Sequence, residues 1–163
     1  MNTNASTPQQ PINAADLPAL GQPLAGGTLV TLYWLNGTEY ALVAMPANTE
    51  INGAWGEYGR DIATTHGDGE SNTRAMAEAG SEIAKQARAL DTFIPSAMES
   101  HLLMHAKESG VIGDLREDRW YWTSSQCSAD GAYNLDFEGG WQDIDLKYDE
   151  RLVRPVRKIP VLR

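Results

Sequence analysis

Two β-rich runs, residues 28–35 and 39–45, are separated by Asn36-Gly37. Both residues tolerate the positive φ that a type I′ turn requires at its two centres, so this pair predicts a hairpin in fixed register. Everything downstream has to pack around that hairpin. From Asn72 to about Leu90, the residues Met76, Ala79, Ile83, Ala87 and Leu90 recur at helical spacing, which predicts one helix with a single buried stripe and Ser71 or Asn72 as its N-cap. After Pro95, Ser96-Ala97-Met98-Glu99 is a capping box that opens a second helix, carrying Leu102, Leu103 and Ala106 and ending at Gly110. Between hairpin and helices, residues 46–71 hold Gly53, Gly56, Gly59, Gly67 and Gly69 among polar groups with Trp55 and Tyr58, and read as a long ordered loop.

The rest is β-rich. Tyr133, Leu135 and Phe137 alternate with Asn134, Asp136 and Glu138; Gly139-Gly140 turns the chain; Ile144, Leu146 and Tyr148 then alternate with Asp143, Asp145 and Lys147. Each strand is expected to bury its apolar face and wet the other. Residues 152–161 read as one last strand, placed centrally or beside the first strands. A hairpin, two helices and a β-rich half define an α+β domain. Residues 1–25 carry few large apolar groups, Leu17, Leu20 and Leu24 among them, too few to offset the entropy of ordering them. They are expected to form a flexible or attachment arm, with residues 26–163 as the domain.

Composition removes whole classes of function. A chain of 163 residues can bury a core without staples, and its one cysteine, Cys127, excludes an internal disulfide and a four-cysteine zinc site. Twenty-two acidic side chains against 13 basic ones, a net charge of −9, argue against a nucleic-acid partner, whose phosphates need a basic face. No apolar run approaches the roughly 20 residues that cross a bilayer, so no membrane insertion is expected. The N-terminus has neither the basic start nor the apolar stretch of a secretory signal, which predicts synthesis into the cytoplasm.

Candidate chemistry is sparse. His101 and His105 stand one helical turn apart, but Leu102 occupies the position where a zincin motif has glutamate, and no third ligand presents itself. Cys127 has no neighbouring cation to lower its pKa, so it is not expected to be a nucleophile. Asp136/Glu138 and Asp143/Asp145 are carboxylate pairs of the kind that glycoside hydrolysis or a hard cation such as calcium uses, yet on a solvated strand face they are expected to be ordinary acids. No enzyme activity, metal or cofactor is expected. The distribution of charge says more: residues 126–150 hold seven acids and one base, Lys147, whereas residues 151–163 hold five bases and no acid. By alternation Trp141 falls among the exposed acids, in phase with Asp143 and Asp145. Tryptophan set among carboxylates on a wet face has the composition of a binding patch.

Four segments in order resemble the Lcl C-terminal domain family: Asp68-Gly69-Glu70-Ser71-Asn72-Thr73, Phe93-Ile94-Pro95-Ser96-Ala97-Met98-Glu99, Trp120-Tyr121-Trp122-Thr123-Ser124-Ser125, and Leu152-Val153-Arg154-Pro155-Val156-Arg157. The resemblance covers about residues 27–159. It implies a C-type-lectin-like fold, related to formylglycine-generating enzyme, as found in phage and bacterial surface proteins, with termini meeting in a small sheet and a ligand surface on the C-terminal loops and hairpin. Carried onto this chain, that surface comprises Gln126, Ser128, Asp130, Asn134, Asp136, Glu138, Trp141, Gln142, Asp143, Asp145 and Lys147. All but Ser128 and Gln142 are also residues that alternation, or the loop before the hairpin, leaves exposed. The lone Cys127 does not carry over the cysteine pair of the oxidising enzymes, and Gln22-Pro23-Leu24 is no calcium-lectin sugar motif, so neither activity is implied. The expectation is a non-enzymatic receptor-binding module of a phage tail tip or fibre, placed in the virion, homo-oligomeric, joined to other virion subunits through residues 1–25 and facing a protein or glycan receptor on the host surface. A decoration or connector protein of the virion and a bacterial surface adhesin are the alternatives, with a glycan hydrolase behind them.

Overall fold

Along residues 9–163, which the computed structural model describes, the chain runs through β1 (Ile12–Asn13), β2 (Pro23–Leu24), β3 (Gly27–Leu35), β4 (Thr38–Ala44), β5 (Ile51–Ala54), α1 (Gly69–Glu78), α2 (Glu82–Ala89), α3 (Ala97–Glu108), β6 (Trp120–Gln126), β7 (Gly131–Asp136), β8 (Gln142–Leu146), β9 (Glu150–Val153) and β10 (Val156–Leu162). The fold class is α+β. Asn36 and Gly37 turn the first hairpin at φ of +50° and +80°. Its strands form the middle of one sheet, ordered β1-β10-β4-β3-β2, and a second sheet is ordered β5-β9-β6-β7-β8.

Several expectations change here. The single helix over 72–90 is two helices. Gly80 at φ +95° takes the left-handed position, Gly80 N–H and Ser81 N–H return to the Ala77 and Met76 carbonyls, and this Schellman closure ends α1. Ser81 then caps α2 by accepting from Ala84 N–H, while its hydroxyl donates to the Trp55 carbonyl. Helical spacing continues through the break because Met76, Ile83 and Ala87 all face one core, beneath which lie Trp55, Ile94 and Trp122. The cap of α1 is Asp68, which accepts from Ser71 N–H, in place of Ser71 or Asn72. The loop over 46–71 contains β5, which pairs with β9 from Ile51↔Val153 to Ala54↔Glu150. The last strand also divides: Arg154-Pro155 separates β9, in the second sheet, from β10, which lies beside β4 in the first.

Of the arm expected over residues 1–25, residues 1–8 lie outside the described residues, and residues 9–25 run along the first sheet. Ile12 and Asn13 pair in parallel with Val161 and Leu162, so the N-terminal segment meets the C-terminal strand. Ile12, Leu17 and Leu24 pack on Leu29, Val43, Ile159 and Val161. Few apolar residues suffice to order this segment because the sheet supplies the other half of the contact, which the segment's own composition does not reveal.

One carboxylate ties the two helical blocks to the first sheet. Buried Glu99 completes the expected capping box, accepting from Ser96 N–H with Oε1 at 2.9 Å; the same oxygen accepts from Gly69 N–H at 2.9 Å, and Oε2 accepts from the Tyr33 hydroxyl at 2.5 Å. A Cβ on Gly69 would stand 2.4 Å from Glu99 Oε1, 2.6 Å from the Ile94 carbonyl oxygen and 2.7 Å from Ser96 N. Two of these are backbone atoms and cannot swing aside. Gly69→Ala is therefore expected to cost about 3 kcal/mol, read as a lower urea midpoint at unchanged slope.

Candidate functional site

The β7–β8 hairpin and the two turns at its ends carry the residues expected to form a surface. Asn134↔Asp143 and Ala132↔Asp145 face one side of the hairpin, and Tyr133↔Ile144 and Leu135↔Gln142 the other. α3 covers Leu135 and Phe137, which are buried. It does not cover β8. Ile144 and Leu146 are 47% and 39% exposed, and Tyr148 is exposed as well, contrary to the expectation that all three line a buried face. β8 is an edge strand, and alternation reports which residues share a face, not whether another layer lies over it.

The expected site residues separate into three groups. Ser128, Asp130, Glu138, Trp141, Gln142 and Asp143 are exposed, and Asp136 is half-buried. Trp141, at 72% exposure, is the most open large apolar side chain among the described residues. Its indole lies over Gly139, where a Cβ would approach Cδ1 to 2.7 Å. Asp136 Oδ1 accepts from Glu138 N–H and its carbonyl from Gly140 N–H, which fixes the turn that presents Glu138 and Trp141. Gln142 Oε1 lies 3.1 Å from His101 Nε2, so the exposed His101 braces β8 from α3. Ser128 and Asp130 belong to the opposite end of the hairpin, where Ser128 Oγ accepts from Asp130 and Gly131 N–H.

Gln126 and Asp145 form a second group, half-buried and committed to the fold. Gln126 Oε1 accepts from Ile62 N–H and Lys147 Nζ, and its amide donates to Asp61 Oδ1 at 2.6 Å. Asp145 Oδ2 accepts from Arg151 Nε at 2.7 Å and from the Asn134 amide.

Asn134 and Lys147, expected on the exposed surface, are instead both buried. Asn134 lies beneath the sheet opposite Trp122, and its Oδ1 has no hydrogen-bond partner. The ammonium of Lys147 donates to the Arg60 carbonyl and Gln126 Oε1, both at 2.7 Å, and stands 4.8 Å from the centre of the Trp55 ring. Burial lowers its pKa, against the pull of Asp61 and Asp130. Lys147 is thus the anchor of the loop over 55–62, not a ligand contact. Strand alternation placed both residues outward, but Asn134 lies on a face that α1 and α2 cover, and Lys147 lies past the end of β8, where the strand period no longer applies.

The structure also assembles an aromatic pair that strand patterning did not single out. Tyr58 and Tyr148, both exposed, pack with ring centres 5.2 Å apart beside the turn over 127–130. Gly59 N–H donates to the Ala129 carbonyl there and holds the two loops together. Their distance in sequence, 58 against 148, hid the contact.

The basic C-terminus neutralises acids inside the fold. Arg151 pairs with Asp145, Arg154 with Glu50 and Asp114, Lys158 with Asp68 and Glu70, and Arg163 with Glu39. None of these bases draws charge from Glu138 or Asp143, which leaves the Trp141 end of the hairpin acidic. Among the described residues, no three His, Cys, Asp or Glu side chains are placed to hold a metal, and no helix is long and apolar enough to cross a membrane. Cys127 is exposed and free. No protein-family model matches the chain, and no curated protein matches it in sequence.

Proposed function

We propose that this protein is a non-enzymatic binding module whose β7–β8 hairpin presents Trp141, Glu138 and Asp143 to a partner. The observation that carries this reading is the exposure of Trp141 at a turn fixed by its own hydrogen bonds and rimmed by carboxylates. A rigid aromatic group loses little entropy on binding, and the surrounding acids select a partner with complementary charge. The uncovered apolar side chains of β8, Ile144 and Leu146, lie on the opposite face of the same edge strand from Asp143. Two copies do not suit this edge, because antiparallel pairing about Ile144 would set Asp143 of one copy opposite Asp145 of the other. A homo-oligomer would therefore form through another surface.

The finer reading is a C-type-lectin-like domain of the Lcl C-terminal type, acting in a phage tail tip or fibre against a receptor on the host surface. It is supported by the four motif segments, by the meeting of β1 with β10, and by the position of the exposed turns on the second sheet. Virions carrying Trp141→Ala with Asp143→Asn are expected to adsorb at least tenfold more slowly, with a thermal midpoint within about 2 °C of wild type, since both side chains are exposed. Asp145 is left intact because Arg151 and Asn134 depend on it. Normal adsorption by the folded double variant would refute the reading, and particles that fail to assemble would assign the hairpin to a structural connector.

A further inference from the structure

A cleft lies away from the hairpin, between α1, the chain that follows α2, and the β4–β10 pair, and has a volume of about 170 Å³. A cavity of about 150 Å³ accommodates a benzene ring. Two aromatic rings, Tyr40 and Phe93, form part of its wall, with Pro160 alongside. Four basic side chains, Arg74, Arg88, Arg157 and Lys158, line it against two acids, Glu70 and Asp91. This is the opposite of the chain as a whole, which carries −9.

The bonds within the cleft show where uncompensated positive charge remains. Lys158 is paired with Asp68 at 3.2 Å and Glu70 at 3.4 Å, and its ammonium lies 4.8 Å from the Tyr40 ring centre and 5.8 Å from that of Phe93. Arg157 donates to the carbonyl oxygens of Asp91, Leu90 and Ala25, neutral acceptors that fix its guanidinium without cancelling its charge. Asp91 Oδ2 accepts from the Gln9 amide. Arg74, exposed on α1, has no hydrogen-bond or ion-pair partner among the described residues. A concave site with aromatic walls, a fixed guanidinium and a second guanidinium at its rim matches a ring-bearing anion.

The geometry points to a binding site for a small aromatic carboxylate or phosphate monoester, its ring against Tyr40 and Phe93 and its anionic group toward Arg74 and Arg157. This site is independent of the hairpin surface. The test is an amide NMR titration of the full chain with benzoate, phenyl phosphate, inorganic phosphate and benzyl alcohol. Benzoate and phenyl phosphate are expected to shift Thr73, Thr92 and Phe93 saturably. Arg74→Glu, which turns an attraction into a repulsion, should weaken both at least about tenfold, and Arg74→Ala less. Trp141→Ala should leave them unchanged. Absence of saturable shifts, equal shifts with benzyl alcohol, or an Arg74→Glu variant that binds like wild type would overturn the proposal. Inorganic phosphate binding as tightly as phenyl phosphate would overturn the role given to the ring.

Discussion

Glu99→Ala is expected to lower stability by about 4 kcal/mol or more, the largest loss foreseen for any single side chain. The carboxylate accepts from Gly69 N–H, Ser96 N–H and the Tyr33 hydroxyl, all within the core. Alanine leaves all three buried donors without an acceptor, each at a cost of roughly 1 to 3 kcal/mol. In a chain of this length each 1 kcal/mol moves the thermal midpoint by about 2 to 4 °C, so a fall of about 10 °C is expected by calorimetry. Glu99→Gln keeps an oxygen toward the two backbone donors and should lose less. The pair also separates by pH. Burial raises the Glu99 pKa above its ordinary 4.5, against the donors that lower it. A carboxyl whose folded pKa is raised withdraws stability as pH climbs from the unfolded pKa through the folded one. Wild type should therefore lose stability relative to Glu99→Gln as pH rises past 4.5. A gap independent of pH would show that the carboxyl is not held above its ordinary value.

Arg154→Met is expected to cost about 3 kcal/mol, at the low end for removing one partner from a buried ion pair because one of its carboxylates is partly in water. The guanidinium is buried between β9 and β10. It meets Glu50 Oε2 at 3.0 Å, Asp114 Oδ1 at 2.9 Å, and the carbonyls of Asp114 and Met45. Glu50 also accepts from the Tyr121 hydroxyl, so its carboxylate is held in the core edge whether or not the arginine is present. Methionine fills the space and leaves that charge stranded. A double variant, Arg154→Met with Glu50→Gln, should recover part of the loss, measured by urea unfolding at one pH. No recovery would mean that the stranded Glu50 charge is not the source of the loss, leaving it to the Asp114 pair and the carbonyl contacts.

Local chemistry made the first hairpin and the α3 capping box legible in the sequence, because Asn36-Gly37 and Ser96 to Glu99 each settle their geometry within a few residues. The break at Gly80 was not legible from hydrophobic spacing, since both helices bury the same stripe and the period runs on across the turn. The order of residues 9–25 depended on an apolar sheet face built from strands far away in the chain. The same logic governs the candidate site. Trp141, Glu138 and Asp143 were legible because they sit on a turn and an edge strand, where neighbours in sequence decide exposure. Asn134 and Lys147 were misplaced because burial there is decided by α1, α2 and the loop over 55–62. The Tyr58–Tyr148 pair and the basic cleft bring together residues from distant segments, beyond the reach of any local pattern.

Under the proposed function, Trp141 stands open until a partner covers it. Hydroxyl-radical footprinting with mass-spectrometric readout at Trp141 measures this directly, on the free chain, in its native assembly and after addition of host envelope vesicles. Equal oxidation in the free chain and the assembly, followed by protection with vesicles, is the predicted result. Protection already present in the assembly, or none gained with vesicles, would contradict it.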